Sequence, residues 1–282
     1  MQQVAAFVWA MCDVWSRLMI QYVNLAPEST SGIFFSGRAA IINSYLQALV
    51  SGLQAGRRTL KSPSAVRFVP LSLGLAAVVA IYIVMAIALV PPGQPRQFNF
   101  VDERGAITAL SAIFLAIGCG FGSATFLLSA GSSRAVRLYW MVVSAALGFV
   151  ALDELLEFHE RIGDRLDRLD LLGLTSSKTI RGWNDVIVIL YGVIAVVFGL
   201  LLLPTVLRYL SFLRLIGVAV ACFVVHTAID TLTEPPTLVS VIVEESAKLY
   251  CSLFIAIACL AGLMVHAGMS STAEAGQDSS KA

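Results

Sequence analysis

The sequence predicts an all-α integral membrane bundle of about six transmembrane helices, with an amphipathic interfacial N-terminal region ahead of it. Three observations carry this. Of the 282 residues 58% are hydrophobic and only 13% charged, and the mean hydropathy is +0.83, far beyond a soluble domain of this size. Apolar stretches long enough to cross a hydrocarbon core of about 30 Å recur along the chain. The polar segments between them are short.

Residues 1–65 form the expected interfacial region. Asp13, Arg17 and Arg38 interrupt its apolar runs too early for a span. In "GIFFSGRAAIINSYLQALVSGL", Phe35, Ile42, Leu46, Leu49 and Leu53 recur at helical spacing and predict an amphipathic helix lying on the membrane or against the bundle. Arg57, Arg58, Lys61 and Arg67 follow as a basic collar. The transmembrane domain, residues 66–267, holds spans expected at 68–91, 106–130, 136–158, 185–207, 211–231 and 238–266. Gly118 and Gly122 form a GxxxG in the second, which predicts close helix packing. Tyr139, Trp140 and Trp183 fall near span ends, where interfacial aromatics sit. Residues 268–282 read as a disordered polar tail.

The five cysteines, Cys12, Cys119, Cys222, Cys251 and Cys259, lie in apolar stretches without CxxC spacing and read as packing residues. The first residues lack a basic n-region and a cleavage site, so no cleaved signal peptide is expected. Net charge is +1 and no basic-helix or zinc-finger pattern occurs, which sets nucleic acid aside and leaves membrane lipids as the expected surroundings. The collar, with Arg134, Arg137, Arg208 and Arg214 on the same side, predicts cytoplasmic termini in a bacterial inner membrane.

Charge then gathers where an apolar bundle has least use for it. Alternating spans bring the end of span three, the end of span five and the start of span six to one side. These carry "FVALDELLEFHERIG", "HTAID" and "VEESAK". At 1.5 Å per residue, His226, Glu244 and Glu245 are roughly level, with Asp153 and Glu154 slightly shallower. Asp153, Glu157 and Glu160 share one helical face, as do His226 with Asp230 and Glu244 with Lys248, while Glu154 and His159 point away from the first stripe. Carboxylates crowded at low dielectric must take up protons or share a cation. Mixed carboxylate and imidazole donors suit a divalent metal such as zinc, iron or manganese, and the candidate ligands are Asp153, Glu157, His159, His226, Asp230, Glu244 and Glu245. Glu154 is then the candidate general base and Lys248 the group that stabilises developing negative charge. The plainer readings are a solvated helix face for Asp164, Asp167 and Asp170 with Arg161, Arg165 and Arg168, extending to Glu157 and Glu160, and simple ion or hydrogen-bonded pairs for Glu244 with Lys248 and His226 with Asp230. Bis-histidine haem ligation is disfavoured, because His159 is shallower than His226 and His266 lies near the opposite face.

"LDELLEFHE" (Leu152 to Glu160) and "VEESAKL" (Val243 to Leu249) resemble a group of uncharacterised bacterial polytopic membrane proteins in which an LDE…HE segment ends one helix and EE opens a later one. The resemblance covers roughly residues 98–266 and implies the helical membrane fold, with no activity attached. "EESAK" and "HTAID" are also locally similar to motifs of CAAX-type intramembrane proteases, although here lysine replaces the arginine and the histidine motif comes first. Three functional readings follow: a metal-dependent membrane-embedded hydrolase of a lipid-type substrate, a proton- or ion-coupled transporter or sensor, and a non-catalytic membrane subunit.

Overall fold

The computed structural model describes residues 37–60, 68–95, 98–101, 105–168, 183–232 and 237–278. Cys12, Asp13, Arg17, Phe35, Lys61, Arg67 and Asp170 fall outside them. Every regular element among the described residues is helical: α1 (Gly37–Leu60), α2 (Phe68–Ala88), the short α3 (Phe98–Val101), α4 (Ala106–Leu128), a 3-10 turn at Ser129–Gly131, α5 (Arg134–Leu156), α6 (Phe158–Arg168), α7 (Trp183–Leu201), the single turn α8 (Leu203–Val206), α9 (Leu210–Leu232) and α10 (Leu238–Asp278).

Five of these are long and apolar enough to cross a membrane: α2, α4, α5, α9 and α10. The expected span at 185–207 is divided, and its apolar stretch, Val186–Leu201, is shorter than the other five. The break at Leu202 has a cause in Pro204, which has no N–H to return to the carbonyl of Leu200 four residues earlier. The Tyr45 hydroxyl donates to that carbonyl instead, at 2.7 Å. At the C-terminal end the helix continues to Asp278, through most of the segment expected as a disordered tail.

α10 is the axis of the bundle. Of its most apolar window 56% is buried, against 11 to 33% for the other four spans. It packs along α9 and α4, and α4 packs in turn along α5. Leu249, Leu253, Ile257 and Ala261 meet Phe68, Val79, Phe100 and Ile107 on one side; Ala258 and Cys259 meet Val136, Trp140, Val206, Tyr209 and Phe212 on the other. The Ser111 and Ser252 hydroxyls join α4 to α10 at 2.7 Å. Gly118 and Gly122 are buried as expected: a Cβ on Gly118 would meet the Ala256 backbone at 3.5 Å, and one on Gly122 the Ser144 Cα at 3.4 Å. The outer faces, with Leu73, Val78, Ile81 and Val84 on α2, are apolar and exposed, as lipid-facing surfaces are.

One expectation is corrected. Tyr139 and Trp140 do not form an interfacial belt: Trp140 is fully buried, and rings of Tyr139, Tyr209 and Phe212 stand edge-on around it with centroids 5.2 to 5.6 Å away. They fill the space where α5, α9 and α10 converge. On α1, Leu46 and Leu53 are exposed, and the face against the bundle is Gly52 and Gly56, where a Cβ would strike the Pro204 and Leu207 carbonyl oxygens. Small residues let α1 press on the backbone around α8, so the apolar stripe is left to face outward.

Candidate functional site: a lysine between two glutamates

Span three ends abruptly. α5 stops at Leu156, and Glu157 takes the left-handed conformation (φ 56, ψ 39) while its N–H bonds the Asp153 carbonyl at 2.8 Å. For a residue with a Cβ this conformation costs on the order of 1–2 kcal/mol, and local bonds offset it. The buried Asp153 carboxylate accepts the backbone N–H of His159 at 2.8 Å and pairs with His159 Nδ1 at 2.9 Å, so it caps the start of α6. Glu157 reaches Arg161 at 3.4 Å. The helical face expected to run through Asp153, Glu157 and Glu160 is therefore interrupted at Glu157, and His159, expected to point away, folds back onto Asp153.

α6 then turns across the start of α7. Gly163 is buried there, and a Cβ on it would lie on the Asn184 side chain and 2.8 Å from the Asn184 backbone nitrogen. The Asp167 carboxylate accepts the Trp183 N–H at 3.2 Å, and Tyr191 stands edge-on to Phe149 at 5.8 Å.

Glu154, one residue beyond Asp153 and still within α5, faces α10. Lys248 Nζ lies 3.0 Å from Glu154 Oε1 and 3.1 Å from Glu245 Oε2, and both glutamates are only 13% exposed. Glu245 and Lys248 are one helical turn apart; Glu154 comes from another span. Lys248 is ten residues into α10, roughly 15 Å along it. His226 on α9 completes the layer: its Nδ1 is buried without a hydrogen-bond partner, and its ring reaches the Glu244 backbone within electrostatic range of Lys248. Sequence spacing offered Glu244 as the lysine's partner, whereas the helix register gives it Glu245 at i+3 and brings Glu154 across. Asp230 and Glu244 are half-buried at the edge of the layer.

Three segments distant in sequence thus deliver Glu154, His226, Glu245 and Lys248 to one level, while Asp153 and His159 are engaged with each other. Among the described residues no group of three or more His, Cys, Asp or Glu side chains is placed to hold a metal ion. Cys119, Cys222, Cys251 and Cys259 are free thiols, consistent with packing roles. One family comparison spans this whole arrangement: residues 71–263 match a family described as a domain of unknown function, DUF8692. The chain belongs to the DUF8692 family. The matched region runs from α2 through most of α10 and contains every member of the charged layer, whereas α1 lies outside it. No curated protein and no solved structure matches the chain. For this DUF8692 protein the geometry therefore carries the functional reading.

Proposed function

We propose that this multi-pass membrane protein is a proton- or ion-coupled transporter or sensor in which Glu154, Lys248 and Glu245 form the ionisable switch. The observation that supports this most is the lysine held at once by carboxylates of two helices, at 3.0 and 3.1 Å. Two acids and one base leave one net negative charge at low dielectric, which a proton or a cation must offset. A proton on Glu154 neutralises the group and leaves Lys248 paired with Glu245 on its own helix. The electrostatic link from α5 to α10 is then gone. Occupancy by a proton is thereby coupled to whether two spans are tied together, which is the two-state element that coupling needs. With the basic residues on the cytoplasmic side, the switch faces the outer side of a bacterial inner membrane.

The metal-dependent hydrolase reading has less support, since Lys248 already occupies the position between the carboxylates where a divalent ion would sit. Spin labels on the exposed Leu155 and Val243, in a variant cleared of native cysteines, test the coupling directly. The α5–α10 distance distribution should shift between alkaline and acidic buffer, and Glu154→Gln should hold the acidic distribution in both. A distribution independent of pH rules the switch out, and stoichiometric zinc, iron or manganese in the purified protein would return the hydrolase reading.

A further inference from the structure

α6 joins two apolar segments without leaving the level of their ends. It follows the break at Glu157, and α5 before that break is 23 residues long, about 35 Å, just enough to carry the chain across a hydrocarbon core of about 30 Å. Further along, one turn apart, Gly163 rests on Asn184 and the Asp167 carboxylate accepts the Trp183 N–H. Trp183 and Asn184 begin α7. The 11 residues of α6 are thus fixed at the end of one apolar helix and at the start of the next, on the same side of the bundle. A helix held in this way runs along the membrane surface and not out of it.

Its side chains fall into three arcs at about 3.6 residues per turn. His159, Gly163 and Asp167 (i, i+4, i+8) face the bundle, each engaged with α5 or α7. Arg161, Asp164, Arg165 and Arg168 are exposed and make up the arc farthest from it. Between the two lies an arc of Phe158, Ile162 and Leu166, again at i, i+4 and i+8 and wholly apolar. Packing does not use this arc up: Ile162 is 49% exposed, and Phe158 and Leu166 are half-buried. Leu152, Leu155 and Leu156 in the last turns of α5 are exposed as well, so the lipid-facing surface of that span leads through the corner onto α6. A charged arc and an apolar arc side by side on a helix in the membrane plane is the pattern of the boundary between headgroups and acyl chains. Arg161 and Arg165 stand on the polar edge of the apolar arc, where long basic side chains reach up to headgroups.

We propose that α6 docks on the lipid bilayer through Phe158, Ile162 and Leu166, with its arginine arc in the headgroup region. This placement is independent of the switch, and it puts Glu154, three residues before the break, roughly 5 Å inside the boundary. Ile162→Cys, Asp164→Cys, Arg168→Cys and Leu152→Cys, each made in a variant cleared of native cysteines, are spin-labelled in vesicles of phosphatidylethanolamine and phosphatidylglycerol. All four positions are exposed, so the label leaves the packing alone. Collisions with oxygen and with a water-soluble nickel chelate read the depth of each label. The label at 162 should favour oxygen and lie about 5–10 Å into the boundary, that at 152 should lie deeper, and those at 164 and 168 should favour nickel. Nickel-dominated collisions at 162 would put the arc in water and overturn the proposal. A label at 162 deeper than that at 152 would do the same, because α6 would then dip into the core. Shielding of 162 from both reagents, with spin–spin broadening that disappears on dilution with unlabelled protein, would make a second copy of the chain the occupant in place of lipid.

Discussion

The two ends of α10 are held by different physics. Near Lys248 the helix is tied to α5 by charge: a lysine and two glutamates, each worth little without the others and costly alone. Near Gly262 the same two helices are tied by shape. The Trp140 ring lies where a Gly262 Cβ would be, fixed in place by three edge-on aromatic neighbours, and the Tyr209 hydroxyl meets His266 Nδ1 at 3.3 Å. Packing of this kind has one solution and resists gradual deformation. A charge triad has two, because a proton can remove one partner and leave the other. Under the proposed switch, the motion expected is a change in the α5–α10 separation near Lys248, with the contact at Trp140 kept.

The sharpest way to break this contrast is to remove the lysine. Lys248→Met strands two buried carboxylates and should cost about 3–5 kcal/mol in detergent melting experiments, while adding Glu154→Gln and Glu245→Gln should restore most of the loss. No recovery in the triple variant would mean that the charged end, too, is held by shape. A smaller effect is expected at the other end. Gly262→Ala pushes a methyl into the Trp140 ring and should cost about 1–3 kcal/mol by overpacking, with no change in the pH dependence of the α5–α10 distance. A pH response altered by this variant would mean that the contact at Trp140 is not kept. Smallest of all, Ser252→Ala removes the hydroxyl bond to Ser111, one turn beyond Lys248, and should cost about 0.6 kcal/mol, the usual size of such bonds between membrane helices. A loss as large as that of Lys248→Met would make this hydroxyl bond, and not the charged group alone, the seat of attachment at this end of α10.

Hydropathy alone made most of the bundle legible, because crossing a membrane demands long apolar runs and little else produces them. Depth counting brought His226, Glu245 and the end of span three to one level for the same reason: helices rise by a fixed amount per residue. What stayed hidden depends on rotation and on breaks. The left-handed turn at Glu157 has no glycine to announce it, yet it turns His159 back onto Asp153. Helical spacing suggests partners on the same helix and is silent about a partner from another, so Glu244 stood out where Glu154 belonged. Two further signals stand in the sequence. Pro204 in "LLLPTVLRYL" marks the end of α7, and "GLQAG", Gly52 to Gly56, carries the same small-residue spacing as the motif in span two. Nothing in the identity of Trp140 distinguishes a buried ring from an interfacial one, since both sit a turn or two inside a helix end.

The bond from Tyr45 to the Leu200 carbonyl ties together groups 155 residues apart in the chain. At about 5–20 residues per second of synthesis, Leu200 follows Tyr45 out of the ribosome by roughly 8–30 s, and α8, on which Gly52 rests, emerges only after it. During that interval α1 has no seat. The first described helix is thus among the last to be fixed in place, since the proline-broken segment between α7 and α9 that Gly52 and Gly56 pack against has to be made first.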